Sequence, residues 1–527
     1  QRVISDLRID PLNSRILYSV VNRDGVGGGG IYKSTNAGMN WVKAGGIPDS
    51  NGNGAISICE SFNQIMFSYL TNANTAGALG IYRSTNSGQN WSILNVPQNF
   101  LDALGTQGFH AYACTVSPTN PNIILVGGVK LIRTSNGGLN WNTVGDIHDD
   151  IQNFEWINGN VYAACDGGIY FSSNSGLNWT TSGNNMPITE FNSISLATGA
   201  PLEIIAGAEH NGIAHFKETG GNSIWYYRFG ADGGSTAIDP NDRNFMYAIN
   251  GVYPNSPMPF RRERSTDGGL SWNPIENGIQ LSDACGQWYS SIKSDRVISP
   301  GTNSLYAQVC KTVYKSTNRG MSWFDLVCPL KNTNFFIDEH ITASRYGDVY
   351  AVSTNALPVQ SSKLYAYYSS SGTWSDMTPL FSVSNRLKRV SVDPVNDSVI
   401  FAVYQGINNP TIKVVKSTNR GLNWTNITGT GLGDAPMLEV LKHPSNGNLL
   451  YAATERFGMF FTSNGGQSWH PWNHGLPNGV IIADIEIIDS TASSPMAPIM
   501  FMSTYGRGVY FKLLDGNPDQ RFSEKFA

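Results

Sequence analysis

Charge is scarce in this chain. Acidic and basic residues make up 14% of its 527 residues and the net charge is −4, where an ordinary globular domain is about a quarter charged. Without a basic surplus there is no footprint for a polyanion, so nucleic acid is excluded as a partner. No apolar run approaches the roughly 20 residues that a membrane-spanning helix needs. The cysteines (Cys59, Cys114, Cys165, Cys285, Cys310 and Cys328) show neither CxxC nor zinc spacing, so no metal and no cofactor is expected. Helical periodicity is missing throughout. Glycine (56 residues) and aromatics (13 Trp, 23 Tyr, 23 Phe) are abundant instead, which suits short strands joined by tight turns. This length calls for several domains or a repeat array.

A repeat is present. The pattern [Ser/Thr]-x-[Asn/Asp]-x-Gly-x-x-Trp starts at Ser34, Ser84, Thr134, Ser172, Ser265, Ser316, Ser417 and Thr462. Two intervals are about twice the others, and each holds a degenerate copy, ending at Trp225 and at Trp374. A unit without the pattern closes the chain over 482–514, giving about eleven units. The units carry four short strands each, except the last, which shows three and must find its fourth elsewhere; in 389–428, for example, the first strand stops at Asp393-Pro394. Four strands per period of about 45 residues predict an all-β fold, a β-propeller of four-stranded blades.

The pattern has a structural explanation. It forms the hairpin between third and fourth strands: the Asn or Asp oxygen accepts backbone N–H groups, Gly takes positive φ, and Trp folds into the layer between sheets. The pairs are Asn36/Trp41, Asn86/Trp91, Asn136/Trp141, Asn174/Trp179, Asp267/Trp272, Asn318/Trp323, Asn419/Trp424 and Asn464/Trp469. Asn replaces Asp in all but one, so these positions are read as structural, not catalytic.

On this motif the chain resembles the Asp-box (BNR) propellers: sialidases, family 74 xyloglucanases with two seven-bladed propellers, and Vps10/sortilin receptors with one ten-bladed ring. The segment 503–510, Ser-Thr-Tyr-Gly-Arg-Gly-Val-Tyr, is similar to the last blade of secreted BNR-repeat proteins of Bacteroidetes-type bacteria, which implies a C-terminal sorting domain beyond this stretch. Two tandem propellers are expected: 1–185 as blades of an incomplete first ring, with sequence missing before Gln1, 186–514 as a seven-bladed ring, and 515–527 as a polar tail or linker. A single ten-bladed Vps10-like ring is the alternative.

Long insertions fall on the face opposite the hairpins, where function on such a fold concentrates. The richest, 252–264, offers Tyr253, Phe260, Arg261, Arg262 and Arg264 for stacking and for carboxylates. Cys310 and Cys328 lie on the same face and are expected to form a disulfide in an oxidising compartment. Cys59, Cys114 and Cys165 read as buried thiols. Hydrolysis of a glycoside needs paired carboxylates. Asp6 looks like the first-strand acid of family 74, and Asp484 holds the same phase in the last unit; Asp149, Asp150, Asp166 and Glu209 are further candidates. His148 beside Asp149 and Asp150 reads as a solvated loop, and His210 and His215 as strand-edge histidines. The Arg-Ile-Pro segment and arginine triad of sialidases are not found. The reading is a secreted or cell-surface protein that binds a glycan or extracellular protein partner. A xyloglucanase-like hydrolase is the second reading and a Vps10-like receptor the third.

Overall fold

A computed structural model describes residues 3–23, 28–182, 186, 188–197, 202–219, 222–251, 260–280, 290–295, 304–332, 335–355, 362–381, 386–488, 497–515 and 521–525. The strands form eleven four-stranded antiparallel sheets, each built from four strands consecutive in sequence. In chain order these blades span 4–43, 51–93, 113–144, 151–181, 191–229, 233–274, 292–325, 335–376, 387–426, 437–471 and 482–525. A single short α-helix, Gln98–Ala103, links blades two and three among the described residues. Second strands such as Ile124–Gly127, Leu305–Val309 and Ile400–Tyr404 are buried along their whole length. Continuous apolar runs are what a strand covered on both faces requires.

The repeated hairpin folds as its residue types dictate. Ser34 Oγ donates to Asn36 Oδ1 (3.0 Å), and that oxygen accepts the amide of Asn40 (2.9 Å). The same pair of bonds recurs at Asn86, Asn136, Asn174, Asn318, Asn419 and Asn464. Asp267, the one carboxylate, accepts the hydroxyl and the amide of Ser271, and these bonds hold its pKa well below the usual carboxylate range. The side-chain oxygens are consumed inside the turn, in keeping with a structural role.

At three junctions among the described residues the loop after an outer strand clasps the next blade, with the amides of Trp91, Trp323 and Trp469 donating to Gly45 O, Asn277 O and Thr430 O. Trp91 N donates to Gly45 O, and a Cβ on Gly46 would stand 1.9 Å from the Trp91 carbonyl oxygen. Gly431 meets the Trp469 carbonyl in the same way at 2.0 Å. Only glycine lets the two backbones approach so closely. The indoles then fill the interblade layers: Trp91, Trp141, Trp179, Trp323 and Trp469 are buried.

For the other three hairpin indoles the expected burial in the layer is corrected. Trp272 and Trp424 are only half-buried. Trp272 packs edge-on against Phe229 at 5.0 Å and borders Met246, while its Nε1 donates to Gly269 O within its own turn (3.2 Å). Trp424 borders the layer that holds Met377 and Ile400, and its Nε1 donates to Met377 O at 2.9 Å. Each ring packs against the layer with its apolar body covered in part, and the remainder meets water. Trp41 is the most exposed of the eight, at 37%.

The chain divides into two compact units, Gln1–Met186 and Pro187–Ala527. In the first, the inner strands Ile4–Asp10, Asn51–Ile58, Ala113–Val116 and Ile151–Ile157 pack one on the next. In the second, blades five to eleven pack in order, and the inner strand Phe191–Leu196 of blade five also packs on Ile482–Ile488 of blade eleven. Ile194 N donates to Asp484 Oδ2 (3.2 Å) and Leu196 N to Glu486 Oε2 (3.1 Å) across that junction. Phe191, Ile194 and Phe216 share a core with Phe501 and Val509. Seven blades therefore close on themselves within the second unit, and a single ten-bladed ring does not describe the chain.

Two further expectations are corrected. The tail is not merely a linker: Ser523–Lys525 pairs with Val509–Phe511 as the outer strand of blade eleven. Phe522 anchors it, packing edge-on against Trp472 at 4.9 Å. The Cys310–Cys328 bridge does not form: Cys328 is a free thiol in the apolar layer with Leu326, Leu330 and Ile337, where burial pushes its pKa up to about 12. Cys310 is disulfide-bonded, and Cys285 lies outside the described residues. Cys59, Cys114 and Cys165 are buried free thiols.

Candidate functional site

Asp6 and Asp484 each bond to a backbone amide of a neighbouring blade. Asp6 Oδ2 accepts the amide of Ile56 on the next blade (2.7 Å) and Arg8 Nε (3.1 Å). Asp484 accepts Ile194 N across the ring closure and Arg389 Nη1 at 3.1 Å. Its surroundings form a charged core on the inner strands of the second unit. Arg389 Nη1 also reaches Glu439 Oε2 at 3.0 Å, while Arg389 Nη2 donates to Ala483 O at 2.9 Å. Burial pushes the Glu439 carboxyl up to about 7, with Asp484 adding to the rise and Arg389 opposing it. His340 is held well below its usual value by burial, reinforced by Arg389, Lys293 and Lys388. Carboxylates tied to a guanidinium and to backbone amides inside a ring are positioned to hold blades together.

The residues expected to bind ligand mostly turn inward. Phe260–Ser265 is the third strand of blade six, not a loop. Phe260 is buried against Ile275 and Ile279, so it cannot stack on a ligand. Arg262 is 3% exposed, bonded to Glu276 (3.0 Å) and to Gln308 O (3.1 Å). Arg264 donates to Arg319 O, and Arg261 is half-exposed on Glu263. Tyr253 lies outside the described residues.

In the first unit, His110 Nε2 stands 3.1 Å from Asp166 Oδ2, whose other oxygen accepts Gln152 Nε2 at 3.0 Å. Asp149 is bound by Lys130 (2.5 and 2.7 Å), and His148 Nδ1 lies 3.1 Å from the backbone carbonyl of Asp149.

The second unit gathers a denser group at one end of blade five. The turn after the second strand Glu203–Ala208 carries Glu209 and His210; the connection into the next inner strand carries Asp232; the lead into Phe191–Leu196 carries Glu190. Backbone bonds fix the arrangement. Glu209 N donates to Glu190 O (2.8 Å), and His210 N donates to Asp232 Oδ1 (3.0 Å). Gly233 permits it: a Cβ there would meet the Gly212 carbonyl oxygen at 1.9 Å. One oxygen of Glu209, one of Asp232 and one ring nitrogen of His210 all lie within 4.8 Å of one another. Asn192 Nδ2 donates to Glu209 Oε2 (3.1 Å) and to Gly233 O (3.1 Å). Burial raises the Glu209 pKa, Asp232 and Glu190 add to the rise, and the Asn192 bond and His210 oppose it. Beside Glu190 lies Tyr505, bridged to it through the backbone and 38% exposed. Two carboxylates, one of them inclined to keep its proton, thus face a histidine next to an accessible aromatic ring.

Sequence reasoning singles out Glu209 and His210 separately. Asp232 escapes it, because the three meet only when the turn of one blade approaches the lead into the next. His215, also read as a lone histidine, is buried against Glu203 at 2.8 Å.

No known family profile matches the chain. A stretch of it is 25% identical over 224 residues to the xyloglucanase Xgh74A of Acetivibrio thermocellus, covering 37% of this chain and 25% of that protein. The match thus spans a quarter of the relative's length. Among solved structures, the chain is similar to the GH74 enzyme of Niastella koreensis (15% identity, TM-score 0.34, covering 99% of this chain and 92% of that one). It is similar also to YCF48 from Cyanidioschyzon merolae (14% identity, TM-score 0.44, covering 63% and 97%).

Proposed function

We propose that this chain is a polysaccharide-directed propeller with glycoside hydrolase chemistry, its acids being Glu209 and Asp232. The observation that carries the reading is the convergence of these carboxylates, with Glu209 shifted towards its protonated form. The stretch similar to a xyloglucanase supports a β-glucan such as xyloglucan as the substrate class, ahead of the adhesion reading. Glu209, protonated, gives its proton to the glycosidic oxygen as the C–O bond breaks. Asp232 supports the positive charge that develops at the anomeric carbon. Oxygens within 4.8 Å fall nearer the roughly 5–5.5 Å separation of retaining enzymes than the 6.5–9.5 Å of inverting ones. In the retaining pattern Asp232 is the nucleophile, and water then releases the sugar from Asp232 with Glu209 as base. Tyr505 offers a stacking platform for a sugar ring.

Reducing-sugar release from xyloglucan and from unsubstituted β-glucans tests this. Glu209→Gln and Asp232→Asn should each lower kcat by roughly 10²–10⁴-fold at nearly unchanged Tm. With a general acid whose pKa is raised, kcat should fall as pH climbs through that value and persist below it. Polysaccharide bound without turnover, and unaffected by either substitution, would return the protein to the adhesion reading.

A further inference from the structure

The interblade layer between blades one and two is one of the chain's best-defined interfaces. Blade two contributes Ile56, Ile58, Met66, Tyr82 and Trp91 to it. Blade one answers with Tyr18 and Val20 on its second strand, Ile31 on its third, and Ala44 and Ile47 in the loop after its outer strand. That loop also clasps the hairpin of blade two, with Gly45 N donating to Gln89 O and Gly45 O accepting Trp91 N, both 2.9 Å.

Blade one presents the same receiving face on its other side. In blade two, Ile58 pairs with Met66, Ile56 with Ser68, and Ser68 with Tyr82. In blade one, Ile9 pairs with Leu17, Leu7 with Ser19, and Ser19 with Tyr32. Position for position, Leu7, Ile9, Leu17, Tyr32 and Trp41 repeat Ile56, Ile58, Met66, Tyr82 and Trp91. The burial differs. Ile56 and Trp91 are 0% and 3% exposed, whereas Leu7, Ile9 and Trp41 are 56%, 58% and 37% exposed. An apolar strip of this kind, rimmed by strand edges, marks an interaction surface.

We propose that this face of blade one docks another blade of the same design. The occupant is a four-stranded sheet bearing bulky apolar or aromatic residues on its second and third strands. It also carries a glycine loop after its outer strand to clasp the Trp41 hairpin. The argument is continuity with the established layer: the receiving residues match in type and register those that already receive such a sheet. A generic apolar ligand would need neither that register nor the Trp41 hairpin.

The test supplies such a blade. The hairpins of blades one and two begin at Ser34 and Ser84, so a second copy of residues 1–50 joined ahead of Gln1 enters in phase. Leu7→Cys in the original blade one is then alkylated, with the unsubstituted chain as background. Labelling should be fast in the 527-residue chain and at least tenfold slower in the extended one. Leu7→Asp should lower Tm only in the extended chain. Equal labelling rates in the two chains would overturn the proposal. So would concentration-dependent protection of Leu7→Cys in the unextended chain accompanied by a dimer in sedimentation, which would assign the face to a second copy.

Discussion

Ala37 holds a φ of 58° in the hairpin of blade one, and Ser87, Ser175, Arg319 and Arg420 hold the same left-handed backbone at matching places. Gly137, Gly268 and Gly465 fill that position in other blades. A side chain in this region costs about 1–2 kcal/mol, partly offset because glycine loses more freedom on folding. Ala37→Gly should therefore raise stability by roughly 0.5–1 kcal/mol, measured by denaturant unfolding. A second residue-scale expectation concerns Glu439, whose buried carboxyl is pushed up to about 7. The folded state holds a proton that the unfolded chain has released, so stability is fullest below the ordinary glutamate range and declines as pH rises through 7. Urea midpoints should fall between pH 5 and pH 8, and Glu439→Gln should flatten that decline. A flat profile for the unsubstituted protein would mean that the Arg389 pairing outweighs burial.

At the scale of the element, the hairpin was legible in sequence because its chemistry is local. A hydroxyl, an amide oxygen and a glycine within five residues specify the turn without help from the rest of the chain. What lay further apart was harder to read. How deeply each indole sinks depends on the neighbouring blade, so Trp272 and Trp424 share the motif of Trp91 and Trp469 without sharing their burial. Ser523–Lys525 has no alternation to announce a strand, and its place is set by Phe522 packing on Trp472 and Lys512. Cys328 sits at the loop-rich end as expected, but its thiol turns into the layer with Leu330, and side-chain direction after a short strand has no linear signal. Likewise, the clasping glycines serve the next blade, not their own. Gly46→Ala would force its methyl into the Trp91 carbonyl oxygen, and the loop must move or the indole must leave its layer. A loss of about 2–4 kcal/mol is expected, comparable to removing a large buried side chain. Thermal melting with Trp fluorescence would read it, and an unchanged melt would show that the loop yields freely.

At the scale of the molecule, blade count and strand order were readable from the period alone, but the candidate site was only half visible. Glu209 and Asp232 are separated by a hairpin and converge because the backbone at Gly233 passes close against Gly212. Ring closure was equally silent: nothing in Asp484 or Glu486 announces that their partners are the amides of Ile194 and Leu196. This closure runs through inner strands, whereas the tail completes only the outer edge of blade eleven. The two should therefore fail separately. Truncation after Asp515 removes the outer strand and Phe522, at a cost of about 3–5 kcal/mol, and should speed amide exchange along Val509–Leu513. Phe191–Leu196 should stay protected, because its bonds to blade eleven remain. If truncation instead released both strands together, the ring would be held by its rim and not by its axis.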